Sequence, residues 1–224
     1  GSAGNPTLRP LEANQFDAAW DWYFAPDGFF SVAYFYKNLV NWHRAGSFVA
    51  DFSQFYIPGY HQVDDENGNP VTPATFQGLV SYREDGLTGS VKGWELQTTF
   101  PFRLVWEKLD GLGLIATATF IDGSLDDGTD VPGLSDENYS AILFYERSGF
   151  EARVAWTKRS KYSTEVRGES LSLVQTFDQG AELVDAQISY DFGWNGRSDW
   201  LGGLSLALQG QNLTNEDTIQ TNDD

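Results

Sequence analysis

The 224-residue sequence has no cysteine, no methionine and only two histidines, and it carries 14 lysines and arginines against 32 aspartates and glutamates. Each shortage removes a class of chemistry. Without cysteine there is no disulfide, no thiolate nucleophile and no Cys-based zinc site within these residues. His43 and His61 are the only imidazoles, and a lone loop histidine is more often a surface group than a catalytic base. A net charge of −18 repels polyanions, and no basic stretch reverses it, so nucleic acid is excluded as a partner. The chain lacks both a signal peptide and a run of eighteen apolar residues, which excludes a transmembrane helix within it. The missing methionine and the opening Gly1-Ser2-Ala3-Gly4-Asn5-Pro6 read as the interior of a longer protein.

Familiar catalytic signatures are missing as well. With no GxSxG elbow, Walker loop or GxGxxG turn, neither an enzyme nor a cofactor is expected. Asp126-Asp127-Gly128-Thr129-Asp130 lacks the spacing and closing glutamate of a calcium loop, so no metal site is expected there. Asn212-Leu213-Thr214 fits a glycosylation sequon, but a turn at a strand end is its expected role.

What the chain has in abundance is aromatic side chains: 16 Phe, 10 Tyr and 8 Trp, beside 23 glycines. Aromatic residues favour strands, and glycines suit the turns between them. The pattern has period two. Phe16, Ala18, Trp20, Trp22 and Phe24 share one face of a strand, and after Pro26-Asp27-Gly28 the chain returns with Phe30, Val32, Tyr34 and Tyr36 on one face. The same alternation recurs over Trp94–Phe100, Leu114–Phe120, Tyr139–Glu146, Phe150–Thr157, Asp185–Phe192 and Leu204–Gln209. This predicts eight meandering antiparallel strands of about ten residues, the length a tilted membrane strand needs. Short turns at 26–28, 101–111, 147–149 and 193–200 alternate with long polar, acidic segments at 45–87, 123–136 and 163–180. Short turns on one side and long loops on the other are the habit of membrane barrels. Alternation alone also fits a soluble sandwich; the persistence of the pattern, the loop rhythm and the aromatics near strand ends favour the barrel.

In a barrel, parity puts Arg153 and Arg159 on the lumen side, where Asp185, Asp191 or Glu151 are the expected partners. Ligand contact is expected in the segment 45–87, whose aromatics can stack on sugar rings beside carboxylates and amides. The candidate residues are Phe55, Tyr56, Tyr60, Asp64 and Tyr82. The competing expectation is that these rings pack the loop on itself.

Several stretches carry a family resemblance. Gly4-Asn5-Pro6-Thr7-Leu8-Arg9-Pro10-Leu11-Glu12 resembles the GNPxLxPE segment of TonB-dependent receptors, with Leu11 inserted before the glutamate. Phe35-Tyr36-Lys37-Asn38-Leu39, Gly93-Trp94-Glu95-Leu96, the hairpin from Pro132 to Tyr162, and Gln211-Asn212-Leu213-Thr214-Asn215 resemble further segments of that family, in family order. The group they most resemble is proteobacterial, with many carbohydrate-linked members. The resemblance implies a barrel of about 22 strands around a plugged lumen, with these eight as strands 14 to 21. It places the plug, the TonB box and the final strand outside residues 1–224. It also implies an outer-membrane location, lipid around the barrel, TonB as the energy-coupling partner, and active transport of a carbohydrate or an iron chelate. A soluble all-β carbohydrate-binding module and a passive porin-like channel are the alternatives.

Overall fold

The computed structural model describes residues 1–57, 60, 63–72, 75–167, 173–196 and 199–222. Their strands are β1 (Glu12–Ala25), β2 (Gly28–Asp51), β3 (Val63–Asp64), β4 (Pro70–Val71), β5 (Gln77–Pro101), β6 (Leu112–Leu125), β7 (Glu137–Arg147), β8 (Phe150–Arg159), β9 (Tyr162–Arg167), β10 (Leu173–Asp178), β11 (Ala181–Asp191), β12 (Ser205–Gly210) and β13 (Gln220–Asn222). The helical turns among the described residues are short 3-10 ones, and the described residues include no α-helix. Eight strands make one antiparallel sheet in the order β1-β2-β5-β6-β7-β8-β11-β12. These are the eight strands that the alternation predicts, joined as a meander.

The register carries the alternation across the whole sheet. Trp94 lies beside Tyr34 and Phe120, Leu143 beside Leu114 and Val154, and Ile188 beside Ala152 and Leu208. On the opposite face Gln97 lies beside Ser31 and Thr117, Ser140 beside Thr117 and Thr157, and Gln187 beside Arg153 and Gln209. A slip of one residue in any pair would exchange the two faces, so an apolar band this continuous fixes the register. Aromatic neighbours reinforce it: the Tyr34 and Trp94 rings lie 4.9 Å apart, and Tyr139 and Trp156 stack at 6.2 Å. Cross-strand pairs of this kind contribute roughly 0.2–1 kcal/mol each.

The apolar band is not covered. Phe16, Trp20, Trp94, Val154, Ile188 and Leu208 are 45–73% exposed. A sandwich buries such a face against a second sheet, whereas here no second sheet among the described residues lies on it. Water does not tolerate an exposed band of this extent; hydrocarbon does. The soluble-sandwich reading therefore falls.

What core there is lies elsewhere. Leu39, Leu87, Val91, Leu125 and Val131 are buried together with Phe35, Trp42, Ile121 and Leu134 packed around them. Leu39, Val91 and Ile121 have the parity of the polar face, so this cluster sits on that side. It forms at the end of the sheet where β2 and β5 outrun their neighbours. The opposite end is closed by tight turns. Ser148 and Gly149 turn with positive φ (53° and 79°), and a Cβ on Gly149 would stand 2.6 Å from the Trp194 ring. Arg103 and Asp27 pair between the first two turns.

Asn212-Leu213-Thr214 forms the expected turn. The Asn212 N–H donates to Asp185 (2.7 Å), its side-chain oxygen accepts from the Glu216 N–H (2.8 Å), and Leu213 N–H donates to the Val184 carbonyl (2.8 Å).

The three segments read as loops are all partly strand, the one at 123–136 only in its first three residues, which end β6. Residues 45–51 belong to β2 and 77–87 to β5, and the segment 163–180 holds β9 paired with β10. The reason is the surroundings. Above the sheet's apolar band neither face of these strands needs to be apolar, so Ala45-Gly46-Ser47 gives no period-two signal.

Candidate functional site

β2 and β5 pair from Phe29↔Thr99 to Asp51↔Gln77, broken only by an irregularity around residues 40–43. β1 reaches up only to Asn41, and β6 only to Gly89. The upper part of the hairpin, some ten residues per strand, therefore stands roughly 30 Å beyond its neighbours as a shaft. Register shifts between Leu39 and Trp42 and between Trp42 and Arg44 mark a bulge where the shaft leaves the wall.

Asn41 sits in that bulge and is 1% exposed. Its Nδ2 donates to the Pro10 carbonyl (2.6 Å) and its Oδ1 accepts from the Gly86 N–H (2.7 Å). The preceding chain crosses the hairpin here. Residues Gly1 and Ala3 exchange backbone hydrogen bonds with Ser81 at 2.9 Å on the free edge of β5, and Asn5 Nδ2 donates to the Arg83 carbonyl (3.0 Å). Arg9 then pairs with Asp85, and the Arg9 carbonyl lies 2.7 Å from His43 Nε2, before β1 starts beside β2. His43 is thus held by the backbone. His61, the other imidazole, lies outside the described residues.

One face of the shaft carries Arg44, Gly46 and Phe48 opposite Glu84, Tyr82 and Val80. Glu84 accepts from Arg44 Nε (2.6 Å) and from the Tyr82 hydroxyl (2.9 Å). These bonds hold the Glu84 carboxyl below its ordinary value and push the Tyr82 phenol up. Arg9 does the same for Asp85, which is lowered. The Tyr82 ring covers Gly46, where any Cβ would meet it at 2.9 Å, and Phe48 meets it edge-on at 5.7 Å.

The five residues expected to contact a ligand are not assembled at one point. Tyr82 is a shaft residue, on β5. At the tip Phe55 packs on Phe52 (6.3 Å) and Tyr56 on Phe76 (5.1 Å), which is the self-packing alternative. Tyr60 is 79% exposed and Asp64 lies exposed in the short β3. Asp65 closes the turn after it by accepting from the Asn67 and Asn69 amides (2.9 and 2.8 Å).

The basic residues of the polar face are also used differently from expectation. Arg153 pairs with Glu146 (2.7 Å) across to β7. Asp185 is taken by the Asn212 amide, Asp191 by the Gly193 amide (2.9 Å), and Glu151 by the Ser189 hydroxyl (3.3 Å). Arg159 binds the β6–β7 loop, donating to Ser135 Oγ (2.6 Å) and the Gly133 carbonyl (2.8 Å) while its guanidinium stacks 3.6 Å above the Tyr162 ring. Parity gave the face of these residues, but not the chain that folds down onto it.

That loop, residues 126–136, does not stand outward. Gly133 N–H donates to the Ser163 carbonyl (2.7 Å), Ser135 Oγ donates to the Ser160 carbonyl (3.1 Å), and Val131 is 7% exposed in the core cluster. The loop becomes a ledge between the shaft and the β9–β10 hairpin. Two cavities flank it. One, of about 250 Å³, is lined by Trp42, His43, Arg44, Asp127, Asp130 and Ser163 among others; the second, about 290 Å³, by Asp130, Asp136, Lys161, Tyr162, Ser163 and Phe177. None of the five expected ligand residues lines either. Trp42 and Ser163 give no sequence signal and Asp130 reads only as part of the acidic run 126–130, because only the folding of the ledge brings the three together.

An uncovered apolar band, a polar reverse face, tight turns at one end and a loop crown at the other define the wall of an outer-membrane type β-barrel. The family described as TonB dependent receptor-like, beta-barrel, matches residues 1–213, and the chain belongs to it. Among solved structures the fold is similar to a chain of the FpvAI–pyocin S2 complex, with a TM-score of 0.58 at 16% identity over 92% of this chain. This chain spans 23% of the length of that one. No curated protein sequence matches it.

Proposed function

We propose that residues 1–224 are part of the barrel wall of a TonB-dependent transporter in the bacterial outer membrane, upstream and downstream segments of which supply the plug, the TonB box and the remaining strands. The observation that carries this is the two-sided sheet: an apolar band toward lipid and a polar face toward a lumen, beneath a crown of loops. A closed barrel satisfies every backbone donor and acceptor in hydrocarbon, and its polar interior gives a solute a path. Energy comes from the inner membrane through TonB, so the protein moves a solute and does no bond chemistry. The cargo is a carbohydrate or an iron chelate, met first by the segment beyond the shaft, in which Phe55, Tyr60 and Asp64 are each exposed.

The test is uptake. Cells with the full-length receptor, cells lacking it and cells lacking TonB are given a panel of labelled oligosaccharides and ferric chelates. Uptake of one member that needs both receptor and TonB supports the reading. Receptor-dependent uptake that persists without TonB would mean a passive channel instead.

A further inference from the structure

At the turn end of the sheet, the β1–β2 and β7–β8 connections are two residues long, Pro26-Asp27 and Ser148-Gly149. Between β5 and β6 the chain instead takes ten residues, Phe102 to Gly111. Turns that face water are built from glycine, proline, asparagine, aspartate and serine. The middle of this one is Leu104-Val105-Trp106, and the three side chains are 45, 71 and 55% exposed.

The turn keeps its backbone bonded within itself. The Val105 and Trp106 N–H groups both donate to the Phe102 carbonyl (3.0 and 3.1 Å), Leu109 N–H donates to Trp106 (2.9 Å) and Asp110 N–H to Glu107 (3.1 Å). A segment whose amides are satisfied in this way can enter a water-poor layer without stranding donors. Its charges suit the edge of such a layer. Arg103 pairs with Asp27, and the Lys108 ammonium lies 5.3 Å over the Trp106 ring. A lysine there lays its apolar stem along apolar surface and keeps its head among polar groups. Glu107 and Asp110 offset Arg103 and Lys108, so the turn needs no anionic lipid.

An unbroken row of rings joins the turn to the lipid-facing band. Trp20, Trp22, Phe24, Phe100 and Phe102 follow one another at centroid distances of 6.4, 5.3, 5.9 and 5.8 Å. The first four belong to the apolar face, and Phe102 carries the row past the end of β5. The headgroup layer is about 5–8 Å thick on each side of the hydrocarbon. A strand rises about 3.3 Å per residue, so a turn that starts two residues beyond Phe100 falls at that level.

We propose that residues 102–109 are an interfacial anchor, which seats Leu104, Val105 and Trp106 in the phospholipid headgroup layer at the turn end of the barrel. Lipid is the occupant because the row of rings that reaches the turn is the one that already faces lipid. Trp106 suits the position, since tryptophan is favoured where an apolar body meets a wet edge. The anchor rests on the barrel reading and fixes the depth at which this part of the wall sits.

Residues 1–224 contain no cysteine, which permits single-site fluorescent labelling. The full-length receptor, with any cysteine elsewhere replaced, is reconstituted in phosphatidylcholine vesicles and labelled with a nitrobenzoxadiazole at Val105→Cys, at Leu143→Cys in the apolar band, or at Ser47→Cys on the shaft. Quenching is read with aqueous iodide on both sides of the bilayer and with phosphatidylcholine bearing a nitroxide at its headgroup or at mid-chain. At 105, iodide quenching should be largely lost relative to 47, and the headgroup nitroxide should quench more than the mid-chain one. Combining Leu104→Ser with Trp106→Ser should return iodide quenching at 105 towards that at 47. Should that double variant fail to assemble, Trp106→Ser alone is expected to move it in the same direction. Iodide quenching at 105 equal to that at 47 overturns the anchor. So does shielding from iodide without quenching by either nitroxide, which would mean that protein covers the turn, and so does a value indifferent to the serine substitutions. Mid-chain quenching at 143 upholds the barrel reading whichever way 105 falls, whereas its absence there overturns that reading and the anchor with it.

Discussion

The side chain of Asn41 joins the Pro10 carbonyl to the Gly86 amide, at 2.6 and 2.7 Å, inside the bulge where the shaft leaves the barrel wall. Among the described residues it is the largest fully buried side chain, and both ends of its amide are used. Asn41→Leu keeps the volume and strands both backbone groups, each at roughly 1–3 kcal/mol. The loss is expected to be local. Hydrogen exchange should accelerate over residues 42–51 and 77–87 and remain unchanged in β7 and β8; equal protection in both regions would show that the bulge does not depend on this residue.

The shaft is also expected to loosen in acid. Glu84 and Asp85 have carboxyls held below their ordinary values of 4.5 and 3.8 by Tyr82, Arg44 and Arg9. A group whose folded pKa is depressed contributes stability that is present above its unfolded value and lost as pH falls through the folded one. Protection factors in the shaft should therefore hold from neutral pH down to the ordinary carboxyl range and decline below it. Glu84→Gln should flatten its share of that decline. The Tyr82 phenol, raised above 10.0, has the opposite sign: its bond to Glu84 persists below that value and is lost as pH rises through the folded one.

Arg159 reaches Ser135 and Gly133 with separate nitrogens and lies on the Tyr162 ring, a task for a planar fork and not for a point charge. Arg159→Ala should free the ledge, seen as faster proteolysis within residues 126–134. Arg159→Lys should restore little of the resistance. Unchanged cleavage in both variants would mean that the Gly133–Ser163 and Ser135–Ser160 bonds hold the ledge without it.

The membrane part of this fold was legible in the sequence because lipid imposes a strict period of two. Trp20, Trp94, Leu143 and Ile188 had to lie on the apolar face, and they do. The crown was not legible, since beyond the lipid no continuous apolar face is required: β9, β10 and the upper halves of β2 and β5 bury scattered residues, polar ones such as Ser163 and Thr176 among them, and show no period of two. Tyr82 illustrates the consequence, an aromatic among polar neighbours that read as a loop residue and is a strand residue covering Gly46. Arg159 shows a second limit. Its face followed from parity, but its partners come from a loop whose inward fold depends on Val131 entering the core cluster.

The Arg153–Glu146 pair gives a contrasting expectation. Both side chains are about half exposed, 49% and 44%, and exposed pairs contribute about 0–1 kcal/mol. Glu146→Gln should barely shift thermal unfolding of the full-length receptor in detergent. A large loss would show that this pair is enclosed within the assembled lumen.

The account stands on which way β7 faces, and spin labels placed singly at residues 138–145 of the full-length receptor in a lipid bilayer measure that directly. Oxygen accessibility should peak at Tyr139, Ala141, Leu143 and Tyr145 and fall at Asn138, Ser140, Ile142 and Phe144. Peaks on the even residues, or no alternation at all, would contradict a barrel wall with its apolar band in the membrane.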